Sequence, residues 1–132
     1  MLDNSNGVAL WGMGTIEAGM RKFAGALQLY AEAEPLVGED VDFSVDYART
    51  IGLAGAASRD KSLLDDAFGR FARLGEKAPQ HVMNLQNWAI TLFLIGNYAE
   101  AWTKIKLAEA APRGSELDQS FIAALQSKMP RP

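Results

Sequence analysis

The stretch NLQNWAITLFLIGNYAEAWTKIKLAEAAP, Asn84 to Pro112, carries two apolar stripes on either side of Gly96-Asn97. Counted from Ala101, Tyr98 lies three residues before, Trp102 directly after, Ile105 four after and Ala108 seven after. Residues three, four and seven apart share one face of a helix. Pro112 then stands where a proline stops a helix. Upstream, Leu85, Trp88 and Ala89 lie sixteen, thirteen and twelve residues before the same alanine. The spacing predicts two amphipathic helices, A then B, each with one small residue facing inward. Two helices cross closely only where a side chain is as small as Ala or Gly. Gly96 supplies the positive φ that the turn between them requires. Tyr98 and Trp102 are then expected beside the crossing, filling the space next to Ala101.

The same pattern recurs on both earlier parts of the chain. Around Ala67 it reads Leu64, Phe68, Phe71 and Leu74; around Ala26 it reads Phe23, Leu27, Tyr30 and Ala33. The upstream columns repeat as Leu10, Ile51 and Leu85, then Met13, Ala54 and Trp88, then the small Gly14, Gly55 and Ala89. Pro35, Pro79 and Pro112 follow the three B stripes. The step from Ala67 to Ala101 is 34 residues (101 − 67), and from Ala26 to Ala67 it is 41 (67 − 26). The surplus falls in PLVGEDVD, a loop-like stretch rich in Pro, Gly and acids. Repeat 1 is therefore placed at about 7–35, a linker at 36–46, repeat 2 at about 47–80 and repeat 3 at about 81–114. Ser115 and Asp118 read as a capping box with the shorter acid. Behind them Phe121, Ile122, Leu125 and Met129 form the stripe of a capping helix over about 116–128, solvating the end of the array.

Period and pattern resemble the tetratricopeptide repeat, a helix–turn–helix unit of 34 residues. The resemblance runs from about Val8 to Arg113. It is fullest in the third unit, with its Gly96-Asn97-Tyr98 turn and Ala101. The first unit has Arg21-Lys22 where the family often shows Gly-Asp, with Glu17 at a usually apolar point; the second has Ser58 there and no turn glycine. The resemblance implies an all-α fold, a single domain of antiparallel helix pairs wound into a right-handed superhelix, or α-solenoid.

It also implies a concave groove lined by the A helices. Residues there that avoid the core stripe are Val8, Arg49 and Met83; Trp11, Gly52 and Gln86; Thr15, Ala56 and Ile90; and Ala18, Arg59 and Phe93. From these, Trp11, Thr15, Arg49, Arg59, Gln86, Ile90 and Phe93 are the candidate partner groove, aromatic at one end, basic in the middle and apolar at the other. Some members of the family hold a partner's terminal carboxylate with Lys, Arg and Asn. Only Arg49, Arg59 and Asn87 match in type here, and the first unit supplies none, which disfavours that mode.

Composition narrows the function classes. The chain has 132 residues, enough for a real core, and a net charge of −3, which offers no basic face to a nucleic-acid backbone. Without cysteine it has no disulfide and no thiolate metal site, and its single histidine, His81, sits at an expected helix start. MLDNSNG lacks the basic residues of an export signal, and no apolar run approaches the roughly 18 residues needed to span a bilayer. The chain as given reads as cytoplasmic, or periplasmic if an export segment was removed. No cap precedes Val8, which leaves that end to an upstream repeat, a partner or a second copy.

Reaction chemistry finds no foothold. Gly12, Gly14 and Gly19 match neither a dinucleotide fingerprint nor a P-loop, and they fit close helix packing. Asp65 and Asp66 are adjacent, so they point about 100° apart on a helix. The expected function is a non-catalytic scaffold, without cofactor, that binds a protein or peptide in the groove. Self-assembly, a secretion-chaperone role, or service as the interaction domain of a larger exported protein are the alternatives.

Overall fold

The computed structural model describes residues 5–132. Residues 1–4, part of the stretch read above for an export signal, lie outside them. The described residues form seven α-helices and no strand: α1 (Ser5–Gly19), α2 (Phe23–Val37), α3 (Val41–Ser58), α4 (Lys61–Lys77), α5 (Val82–Leu94), α6 (Tyr98–Glu109) and α7 (Gln119–Lys128). A short 3-10 turn, Gly114–Glu116, links the last two. The chain divides into two units, one ending at Arg70 and one beginning at Phe71, with the division inside α4. In the first unit α1 packs on α2 and α2 on α3; in the second α5 packs on α6 and α6 on α7. This is the all-α arrangement of adjacent helix pairs that the sequence leads one to expect.

Three turns share one geometry. A left-handed residue ends α1 (Arg21, φ 59°), α3 (Arg59, φ 54°) and the α5 turn (Gly96, φ 85°). The next amide in each case reaches back five residues: Lys22 to the Glu17 carbonyl at 2.9 Å, Asp60 to Gly55 at 3.0 Å, and Asn97 to Leu92 at 2.9 Å. This closure satisfies carbonyls that a helix end would otherwise leave bare. Glycine takes the left-handed backbone without penalty at Gly96, whereas the two arginines bear the steric cost of their Cβ.

The small columns are buried as expected. Ala26, Ala67, Ala101 and Ala89 are fully buried, and Gly14 and Gly55 are buried. A Cβ on Gly14 would stand 3.1 Å from the Tyr30 ring, and one on Gly55 would stand 3.0 Å from Leu64 of α4. Tyr30, Phe71 and Ile105, four residues after each alanine, are buried too. In the first unit Tyr30, Phe43 and Tyr47 join Trp11 in an aromatic cluster with ring centroids 5.5–5.8 Å apart. Such rings contribute about 1.5–3 kcal/mol each by burial, plus a smaller edge-to-face term.

Several sequence expectations are corrected. The linker at 36–46 is largely helical: only residues 38–40 lie between α2 and α3. Pro35 does not stop α2, which runs on to Val37. The proline deprives only the exposed Ala31 carbonyl of its bond, and Gly38 N–H still reaches Glu34 at 2.8 Å. Asp40 starts α3, its carboxylate accepting from the amides of Asp42 (2.9 Å) and Phe43 (3.4 Å). Pro79 and Pro112 do fall in turns after α4 and α6. Met13, assigned to the core stripe, is 52% exposed: none of the described helices packs over that side of α1. The C-terminal helix begins at Gln119, three residues beyond the expected start. Its cap is Asp118, which accepts from Ser120 N–H at 2.9 Å and Phe121 N–H at 3.4 Å; Ser115 lies in the 3-10 turn.

Candidate functional site

Taking the left-handed turn residue as reference brings the A helices into a common register. Arg21 and Arg59 are 38 residues apart (59 − 21), and Arg59 and Gly96 are 37 apart (96 − 59). Trp11, Arg49 and Gln86 then form one column, Thr15, Leu53 and Ile90 a second, and Ala18, Ala56 and Phe93 a third. The small inward column becomes Gly14, Gly52 and Ala89, all buried. The turn after α3 thus comes three residues earlier, relative to Ala67, than the sequence pattern suggests. Arg59 consequently caps α3 at the turn and does not sit on the helix face assigned to it.

In the first unit these columns converge on a cavity of about 380 Å³ between α1, α2 and α3. Thr15, Ala18 and Gly19 of α1, Phe23 and Tyr30 of α2, and Asp46, Arg49, Thr50 and Leu53 of α3 line it, with Arg21 at the turn. Trp11 holds its edge: the indole Nε1 donates to Asp46 Oδ2 at 2.8 Å, and the ring meets Phe43 edge-on at 5.6 Å. Thr15 donates its hydroxyl to the Trp11 carbonyl at 3.0 Å, and its oxygen lies 3.0 Å from the Tyr30 hydroxyl. With the threonine hydrogen so committed, Tyr30 is the donor of that second bond.

Asp46 carries the main electrostatic perturbation of the cavity. Its burial raises the carboxyl pKa above the ordinary 3.8, while the Trp11 hydrogen bond and the nearby Arg49 partly oppose that rise. Neither the Arg21 nor the Arg49 guanidinium has an ion-pair partner among the described residues; Arg21 lies over the Phe23 ring, 5.3 Å from its centroid. Two cations, one carboxylate and an apolar wall therefore face one concavity.

The second unit places the same columns differently. Gln86 is only 5% exposed, and its Oε1 accepts from Asp118 N–H at 2.7 Å, at the start of α7. Phe93 packs against Tyr98 at 5.6 Å and edge-on against Phe121 of α7 at 5.5 Å. Ile90 is half-buried between them in sequence. Asn87, considered for a carboxylate contact, is 3% exposed. His81 is the cap of α5, its Nδ1 accepting from Asn84 N–H at 3.2 Å. Trp88 stacks on Phe71 and carries Lys104 Nζ 3.7 Å above its ring. Back in the first unit, Asp65 and Asp66 are exposed and pair with Lys61 and Arg70.

So Thr15 and Arg49 share the cavity, with Trp11 at its edge. Arg59 lies at a turn, and Gln86 and Phe93 lie beneath α7. Sequence reasoning passed over Asp46 and Arg21 as site residues. The signal for Asp46 was the four-residue spacing of Phe43, Tyr47 and Ile51, which extends α3 back through the supposed linker. The signal for Arg21 was its place one residue before Lys22-Phe23, at the αL point of the turn.

Among the described residues no three His, Asp or Glu side chains gather to hold a metal ion, and no helix is long and apolar enough to cross a membrane. Comparison with family models, curated proteins and solved structures finds no match to this chain.

Proposed function

We propose that this chain is a non-catalytic interaction module of the tetratricopeptide kind, its helix pairs wound into a right-handed superhelix. A peptide or helix of a protein partner lies in the groove lined by the A helices. Neither nucleic acid nor a cofactor takes part. The observation that carries this reading is the cavity of about 380 Å³ in which Thr15 and Arg49 meet. Its size and its mixture of apolar wall and few polar groups suit one or two anchor side chains.

Gly19 offers a clean test. It lines the cavity, and a Cβ built there meets nothing within 4 Å, so Gly19→Trp fills the groove without a clash at its own position. Proteins captured by the wild-type chain are compared with those captured by Gly19→Trp, with helicity checked by circular dichroism. A partner lost with the fold intact supports the groove. Identical capture by both would remove it.

A second reading, self-association through the first repeat, draws on the outer side of α1. Met13 and Ile16 of α1, with Met20 just past its end, are 52–65% exposed there. Sedimentation of wild type against Ile16→Glu over a range of concentrations tests it: a single monomeric mass in both would end that reading.

A further inference from the structure

The cavity's hydrogen-bonding groups sort by polarity, and the sorting selects a ligand. This inference rests on the groove reading above and specifies what enters it. The Thr15 hydroxyl is committed to the Trp11 carbonyl, and the Tyr30 hydroxyl to Thr15. The Thr50 hydroxyl donates to the Asp46 carbonyl at 2.9 Å, and the Trp11 indole donates to Asp46 Oδ2. The donors left for a ligand are the guanidiniums of Arg21 and Arg49. The acceptor left is Asp46 Oδ1, since Tyr30 is 1% exposed and its hydroxyl is held by Thr15. Phe23, Leu53 and Ala18 supply the apolar wall.

We propose that the cavity receives an acidic side chain of the partner segment, its carboxylate between Arg21 and Arg49 and a neighbouring apolar side chain against Phe23 and Leu53. The segment's own backbone N–H is then the donor that Asp46 can accept. Guanidinium–carboxylate bonds are charge-assisted and geometrically selective. A cationic side chain would meet two arginines against a single carboxylate that already shares one oxygen with Trp11. The chain's overall charge of −3 works against an acidic partner at long range. Selectivity must therefore arise inside a Debye length, about 8 Å at physiological salt.

The test is an NMR titration of the full chain with three hexapeptides, acetylated and amidated at their ends. Each is alanine throughout except for a central Glu-Leu, Gln-Leu or Lys-Leu pair. The Glu peptide should move the Arg21 and Arg49 side-chain resonances and bind about tenfold or more tightly than the Gln peptide. Arg21→Gln and Arg49→Gln should each erase that preference, added salt should weaken it, and Asp46→Asn should strengthen Glu-peptide binding. The proposal is overturned by equal binding of Glu and Gln peptides, by a Lys preference that Asp46→Asn abolishes, or by no shift at millimolar peptide. Equally tight binding of a Gln peptide with a free C-terminal carboxylate would reassign the site to chain ends and overturn it as well. A partner released by Gly19→Trp yet retained by Arg49→Gln would keep the groove and remove the acid. Retention by both variants would remove the groove itself.

Discussion

Arg49 in the first unit and Gln86 in the second occupy the same position relative to their turns, yet one opens on a cavity and the other is sealed. Arg49 stands exposed at the rim beside Asp46, whereas Gln86 is bonded to the first turn of α7. Phe93, the second unit's counterpart of Ala18, is likewise covered by Phe121. A repeat position therefore does not have a role of its own. What packs over it decides whether it reads as groove or as core, and in the second unit α7 takes the place that a partner would need.

The sealed side is broken most severely at Trp102. This residue is 1% exposed, and its indole donates to the Met129 carbonyl at 2.8 Å, beneath Arg131 stacked at 4.5 Å. Trp102→Ala should cost about 3–5 kcal/mol, a large part of a typical total of roughly 5–15. Urea denaturation measures the loss, and hydrogen exchange should show α7 amides opening first. An unchanged urea midpoint would mean that α7 is held by other contacts.

Phe121→Ala makes the second unit resemble the first. It removes the edge-on partner of the half-buried Phe93 and should cost less, about 1–2 kcal/mol. Retained stability together with an unshifted Phe93 ring resonance would deny that α7 does the sealing. The turns give a smaller and opposite effect. Arg59 holds φ 54° where Gly96 holds 85°. Arg59→Gly should stabilise by about 0.5–1 kcal/mol, the relief of a left-handed Cβ less the added freedom of the unfolded chain. Gly96→Ala should destabilise by about 1 kcal/mol on the same ground. Thermal melts of the two variants should move in opposite directions.

Acid titration separates the units by sign. Asp46 has its folded pKa raised by burial, so its stabilising contribution is full below about 3.8 and is lost as pH rises through the folded value. Asp118 has its pKa lowered by the Ser120 side chain and amide, so its contribution is present above 3.8 and is lost as pH falls. Asp46→Asn should therefore gain on wild type as pH climbs from about 3.8 towards neutrality. Asp118→Asn should lose on wild type as pH climbs towards about 3.8 from below, and its deficit should stay constant above that. Parallel pH profiles for both variants would contradict that pairing.

The small residues made the helix pairs legible. Ala26, Ala67, Ala101 and their partner column are buried because two backbones cannot approach over anything larger, and that constraint leaves its mark at fixed spacing. The turn after α3 was harder to see, because Arg59 adopts a left-handed backbone that nothing in its side chain announces. Pro35 misled because a proline in a last helical turn forfeits a single bond, here to the exposed Ala31. The covering of Gln86 and Phe93 was out of reach of periodicity, which reports the face of a helix and not what lies over it. Of the candidate groove, Thr15 and Arg49 fell together because both follow that face in a unit where nothing further packs on it. Asp46 was hidden inside a stretch whose acids and glycine suggested a loop.

The two- and three-residue connections that join α1 to α2, α3 to α4 and α5 to α6 also govern how this chain acquires its structure. Closing so short a connection sacrifices little chain entropy, and the packing that follows joins sequence neighbours. Folding rates follow such locality, and helical proteins of this kind reach their native state in microseconds to milliseconds. A ribosome adds on the order of 5–20 residues per second. The α1–α2 pair, once clear of the exit tunnel, can accordingly close long before α7 has been synthesised.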